Sequence, residues 1–217
     1  MEKSKVLKRI TDKGIVAVVR AESEDQALKI ANACIEGGID AIEITFTVPH
    51  AEKVIERLCS EYDTNTLLVG AGTVLDAATA RIAMMAGASF IVSPGFDEGT
   101  VKICNRYKVP VMAGVMTVTE AMKAMEAGAD VLKIFPAELF GPTIIKAFKA
   151  PLPHGVFMPT GGVDTENAAD WIKAGAVAVG VGGSLTAGSK TGDYADITKK
   201  AKIFVERIAE AKAALKK

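Results

Sequence analysis

The chain has 217 residues, 49% of them hydrophobic, with 26 Lys+Arg balanced by 26 Asp+Glu for a formal net charge of zero. That length can bury one substantial core, and that balance leaves no basic field to concentrate nucleic acid or coat an anionic membrane, so a small-molecule role is favoured. Three widely spaced cysteines, Cys34, Cys59 and Cys104, fit neither a disulfide framework nor a zinc site and are expected to be reduced and buried, as in a cytoplasmic protein.

From Met1 to Thr11 charged and apolar residues alternate, without the unbroken hydrophobic run of a signal peptide or membrane span, and the segment reads as an N-terminal helix. Short β-branched runs then begin near Ile15, Ala41, Leu67, Phe90, Val111, Val131, Val156 and Ala176. Helical spacing of apolar residues fills the intervals, as in Glu24 to Glu36, Ala51 to Glu61, Asp76 to Met85 and Thr119 to Ala127. Several of these segments close on glycine (Gly37-Gly38, Gly87, Gly128, Gly175), which can take the left-handed conformation that ends a helix. Tyr194 to Lys217 reads as a final amphipathic helix with a lysine-rich end. No linker or low-complexity tract divides the chain, so residues 1–217 are expected to form one domain. Strict strand–helix alternation demands a parallel sheet with right-handed crossovers, and eight units close most economically into a (β/α)8 TIM barrel. A doubly wound open sheet is the competing architecture.

Parallel strands are covered on both faces, so a charge inside one needs a reason. In Ala41-Ile42-Glu43-Ile44-Thr45-Phe46-Thr47 the period of two sends Ile42, Ile44 and Phe46 toward the helices and Glu43, Thr45 and Thr47 toward the barrel interior. The sixth run, Asp130-Val131-Leu132-Lys133-Ile134-Phe135-Pro136, sets Lys133 among large hydrophobes on the face of Val131 and Phe135. Burial disfavours a charged amine and leaves a nucleophilic neutral fraction, which is what imine-forming chemistry needs. The bland alternatives are a lysine that snorkels out at the strand end or a structural ion pair with Glu43. The first run ends in Arg20, whose guanidinium fork suits a carboxylate or phosphate but could equally pair with Glu22 or Glu24 at the surface.

Two glycine-rich segments follow the last two runs: Pro159-Thr160-Gly161-Gly162-Val163 and Val179-Gly180-Val181-Gly182-Gly183-Ser184. Barrels often bind phosphate on the backbone of these two loops, because glycine lets an anion approach the amides closely. Thr73, in Gly70-Ala71-Gly72-Thr73-Val74, can donate its hydroxyl to a substrate carboxylate or cap the helix that starts near Asp76. His50 and His154 have no metal-ligand spacing, and no metal site is expected.

The motifs Ile42-Glu43-Ile44-Thr45, Gly70-Ala71-Gly72-Thr73-Val74, Ile91-Val92-Ser93-Pro94, Leu132-Lys133-Ile134-Phe135-Pro136 and Pro159-Thr160-Gly161-Gly162, in this order between about Ile15 and Ser184, resemble the bacterial 2-keto-3-deoxy-6-phosphogluconate / 4-hydroxy-2-oxoglutarate aldolase family. The resemblance implies a class I aldolase without metal or organic cofactor, a homotrimer, a 2-keto acid and a phosphorylated aldehyde as small-molecule partners, and no nucleic-acid or membrane partner. By the same resemblance Lys133 is the imine-forming lysine and Glu43 its proton shuttle. Thr73 meets the pyruvate carboxylate, Pro94 and Phe135 form apolar walls, and Thr160 reads the C4 hydroxyl. Gly161, Gly162 and Ser184 match the phosphate region, to which the second glycine-rich segment adds Gly182 and Gly183. One departure stands out: many relatives carry arginine where this chain has Thr47, so carboxylate binding must be rearranged, with Arg20 as the candidate replacement. Two competing functions remain open at this stage, a phosphate-binding barrel isomerase or epimerase that forms no imine, and a catalytically silent assembly scaffold.

Overall fold

In the computed structural model, which describes residues 1–215, the predicted alternation forms eight strands. They are β1 (Ile15–Val19), β2 (Ala41–Thr45), β3 (Leu68–Gly72), β4 (Ile91–Val92), β5 (Val111–Val115), β6 (Val131–Ile134), β7 (Phe157–Pro159) and β8 (Val179–Val181). The helices are α1 (Lys3–Lys13), α2 (Glu24–Glu36), α3 (Ala51–Glu61), α4 (Ala77–Met85), α5 (Glu98–Tyr107), α6 (Val118–Glu126), α7 (Thr143–Lys149), α8 (Ala168–Lys173), α9 (Gly183–Thr186) and α10 (Tyr194–Ala214). Lys216 and Lys217, at the lysine-rich end predicted for the last helix, lie outside the described residues.

Every strand pair is parallel and the order around the sheet is sequential, with β8 next to β1. A bridge between Thr160 and Gly180 brings β7 to β8 and closes the circle. An open doubly wound sheet would reverse its strand order at a switch point. This sheet does not, and the fold is a (β/α)8 barrel.

The period of two sorts the strand residues into two cores. Ile15, Ala17, Val19, Ile42 and Ile44 pack outward against the helices. Val16, Ala41, Leu68, Phe90, Met112, Val131 and Met158 fill the barrel, whose floor is sealed by Val6 and Ile10 of α1. Gly70 has no side chain because the ring of Phe90, the residue just before β4, occupies that space. The plug is tied down at the N-terminal ends of the strands: Lys3 pairs with Asp130 at 2.9 Å, and Arg9 with Asp40 at 2.9 Å. Closing one end with apolar side chains leaves the C-terminal ends of the strands as the open mouth, where barrel enzymes carry their chemistry.

The eighth strand starts at Val179, three residues beyond the expected start near Ala176. The Ala176 N–H returns to the Trp171 carbonyl after Gly175 (φ 108°), so Ala176 finishes α8, while Val177 makes a single bond toward β7, its N–H donating to the Phe157 carbonyl at 3.0 Å. Of the cysteines, Cys34 and Cys104 are buried as expected and burial pushes both thiols up to about 12, whereas Cys59 is only partly covered.

Candidate active site

Glu43 lies at the centre of β2 and Lys133 in the middle of β6, four positions apart in an eight-stranded circle, hence on opposite walls. Both side chains point inward, and Lys133 Nζ stands 3.8 Å from Glu43 Oε1 with only 5% and 1% of the side chains exposed. The snorkelling alternative is thereby ruled out. The separation allows Coulomb attraction but exceeds hydrogen-bond length, and Glu43 Oε1 has no hydrogen-bond partner among the described residues. Burial raises the Glu43 carboxyl above the ordinary carboxylate range, against the opposing pull of Lys133 and, more weakly, of Arg20. A carboxyl whose acid form is favoured by burial is suited to proton transfer with an adduct on the facing amine.

Space for this pair is cut by small residues. A Cβ on Gly72 would stand 2.6 Å from Glu43 Oε1, so only glycine on β3 lets the carboxyl lie there. On the other wall the Phe135 ring lies 5.1 Å from Lys133 Nζ, where its π face favours a cationic nitrogen. Gly114 on β5 lets the Pro94 backbone cross close above it, since a Cβ there would overlap the Pro94 carbonyl group.

Phe135 also forms part of the wall of a cavity of about 430 Å³ at the mouth, together with Arg20, Thr160, Glu138, Asp164 and the two glycine-rich loops. Gly161 (φ 97°) and Gly162 (φ 68°) adopt left-handed conformations that side chains resist, and Gly183 has open space where its Cβ would stand. The Ser184 hydroxyl donates to the Val163 carbonyl at 2.5 Å and so clamps one glycine loop to the other. Arg20 Nη1 lies 3.2 Å from where a Cβ on Gly182 would be. The expected surface pairing of Arg20 does not form: Glu24 is engaged by Arg57 at 3.0 Å, and Arg20 has no ion-pair partner among the described residues. Thr160 Oγ1 is buried without a hydrogen-bond partner, packed against Gly180. A buried polar atom left unsatisfied costs stability.

Of the sequence-predicted residues, Arg20, Phe135, Thr160, Gly161, Gly162, Gly182, Gly183 and Ser184 line this cavity. Thr47 lines a neighbouring one of about 410 Å³, which shares Arg20 and Gly183 with the first, and its hydroxyl is 2.7 Å from that of Thr45. Thr73 and Pro94 line neither. Asp76, not Thr73, caps α4, its side chain accepting the Thr79 N–H at 2.7 Å. Thr73 instead holds φ 54°, a strained state for a β-branched residue at the end of a barrel strand. Glu138 and Asp164 were not singled out from sequence. Their signal was position alone, a charge in the loop that follows a barrel strand, four residues beyond β6 for Glu138 and five beyond β7 for Asp164.

A closed barrel whose lumen holds a buried lysine facing a buried carboxyl, with a mouth cavity built from glycine loops and an arginine that has no ion-pair partner among the described residues, defines a Schiff-base (class I) aldolase, a carbon–carbon lyase. Comparison with known proteins agrees: the family model for KDPG and KHG aldolase matches residues 6–200, and the chain belongs to that family. It is 39% identical over 172 residues, 79% of this chain and 83% of the relative, to a 2-dehydro-3-deoxy-6-phosphogalactonate aldolase of Escherichia coli. It is 38% identical over 200 residues, 90% of each chain, to a 2-dehydro-3-deoxy-phosphogluconate aldolase of Pseudomonas aeruginosa. Among solved structures it resembles the Legionella pneumophila KDPG aldolase with pyruvate captured as a covalent carbinolamine (TM-score 0.80, 28% identity, 87% of this chain and 92% of that one).

Proposed function

We propose that this aldolase cleaves 2-keto-3-deoxy-6-phosphogluconate to pyruvate and D-glyceraldehyde 3-phosphate, with 4-hydroxy-2-oxoglutarate, cleaved to pyruvate and glyoxylate, as a further substrate. The observation that carries the reading is the solvent-excluded Lys133–Glu43 pair, joined through the Phe135 ring to a glycine-walled cavity of about 430 Å³ at the mouth.

Lys133 attacks the C2 ketone, and the resulting carbinolamine loses water, with Glu43 supplying the proton, to give a protonated imine next to the Phe135 ring. Glu43 then takes the C4 hydroxyl proton as the C3–C4 bond breaks, and the bonding electrons flow into the imine to leave an enamine of pyruvate on Lys133. Reprotonation at C3 and hydrolysis release pyruvate and restore the amine. No step needs a metal or an organic cofactor. Thr160 Oγ1, lacking a partner, accepts or donates at the C4 hydroxyl, and Thr73 with Thr47 meets the C1 carboxylate. Pro94 and Phe135 supply the apolar walls. The phosphate rests on Gly161, Gly162, Gly182, Gly183 and Ser184. Arg20, at the cradle wall beside Gly182, is better placed for this phosphate than for the carboxylate that the Thr47 departure leaves without an arginine.

The galactonate-derived isomer is the second reading, favoured by the phosphogalactonate aldolase among the relatives. Cytoplasmic location is supported by three cysteines free of disulfides. A homotrimer is supported by exposed Leu75, Ile82, Met85, Leu139 and Phe140, apolar surface that assembly would cover. Pyruvate release coupled to lactate dehydrogenase, measured across the three 2-keto-4-hydroxy acids, tests the proposal. The phosphogluconate-derived acid should give the highest kcat/KM. Higher turnover of the galactonate-derived acid reverses the order of the two readings, and no turnover of any of them returns the chain to the scaffold hypothesis.

A further inference from the structure

The mouth cavity contains an ionisable group that the reaction does not use. Glu138 stands in the short 3-10 turn after β6 (Ala137–Leu139), which is fastened to β7 by the Ala137 N–H donating to the Thr160 carbonyl at 2.9 Å. That turn lays the Glu138 side chain over the first glycine loop: a Cβ on Gly161 would collide with its carboxylate, and one on Gly162 with its Cβ. A carboxylate thus covers the backbone on which an anionic ligand is to be seated. The other acid of the cavity, Asp164, is already committed, its Oδ1 accepting the Glu166 and Asn167 N–H groups at 2.8 and 2.9 Å. Glu138 accepts no hydrogen bond and forms no ion pair among the described residues, and it is exposed. The cation on this wall is Arg20 alone, against two carboxylates.

Resting on the phosphate-cradle reading above, we propose that Glu138 is an electrostatic gate: it sets a protein carboxylate against the first glycine loop, must swing aside for phosphate, and by repulsion keeps phosphate binding weak enough for the phosphorylated aldehyde to leave. An exposed carboxylate can move at little cost, and like charges a few ångströms apart repel in a way that salt screens. The gate therefore acts on binding of the phosphorylated end and leaves the imine chemistry, buried deeper in the barrel, to Lys133 and Glu43.

The test is competitive inhibition by inorganic phosphate, together with KM for the phosphorylated substrate, for wild type, Glu138→Gln and Glu138→Ala at low and high ionic strength. Borohydride labelling with pyruvate counts competent sites in each preparation. Glu138→Gln keeps size and removes charge, and should lower both the phosphate Ki and KM about five- to tenfold at low salt, a gap that narrows as salt rises. An unchanged or higher Ki in Glu138→Gln sinks the gate, as does a gain confined to Glu138→Ala, which would mark bulk instead of charge. Phosphate that inhibits all three proteins equally leaves the cradle standing without the gate. Phosphate that inhibits none of them removes the cradle as well.

Discussion

Lys133 Nζ and Glu43 Oε1 face each other across the barrel at 3.8 Å, from strands that share no hydrogen bond and lie on opposite sides of the sheet circle. Two opposite charges taken out of water are costly, and such a pair often stabilises a fold less than apolar residues of similar volume would. The catalytic roles proposed for the pair account for its place in the lumen, and their consequences can be measured.

Lys133→Ala should abolish pyruvate-dependent borohydride labelling and cleavage together. Peptide mass mapping of the wild-type adduct should find one reduced pyruvyl group, on Lys133. Labelling that persists in the variant would remove this lysine from the mechanism.

Glu43→Gln separates the two halves of the reaction: imine trapping should continue more slowly, while kcat falls by at least about a hundredfold, the size of a lost general acid–base catalyst. Stability should respond in the opposite sense. The Glu43 pKa is raised in the folded chain, so the folded state is not penalised in acid, where this carboxyl is protonated folded or unfolded. The penalty grows as pH climbs through the raised pKa. The Tm of Glu43→Gln relative to wild type should therefore rise with pH, and a difference that shrinks as pH rises would contradict the burial argument.

Gly72→Ala tests positioning without replacing either charged residue. The new methyl would meet the Glu43 carboxyl and push it from Lys133, and a displacement of about 1 Å can cost about a hundredfold in rate. The expected signature is a low kcat with labelling by pyruvate largely retained. Wild-type kcat would show that the carboxyl tolerates the shift.

Arg20→Ala should raise KM for a phosphorylated substrate by about ten- to a hundredfold, the range for a lost charge-assisted contact, with a smaller effect on a substrate lacking phosphate. An equal effect on both would assign Arg20 to the shared carboxylate end. That outcome would reinstate the role first suggested by the Thr47 departure.

How much of this was legible beforehand follows from the range of each interaction. Strand and helix positions were readable because periodicity is written in neighbouring residues: Glu24–Glu36 and Ala51–Glu61 fall where the apolar spacing put them. The inward direction of Glu43 and Lys133 was readable for the same reason, since a period of two fixes the face once the outer residues are known to meet helices. The cap on α4 was not, because Thr73 and Asp76 both carry suitable oxygens and only the chain path after β3 turns Asp76 toward the Thr79 amide.

The sequence by itself determined the strand–helix alternation and the inward face that Glu43 and Lys133 share, because local periodicity needs no distant partner. Only the tertiary structure decided that Glu43 and Lys133 lie within reach of each other, that Arg20 borders the glycine cradle rather than pairing with Glu24, and that Glu138 covers Gly161. Those relations depend on barrel closure, strand tilt and register. These are fixed by contacts between residues far apart in the chain, and no local pattern encodes them.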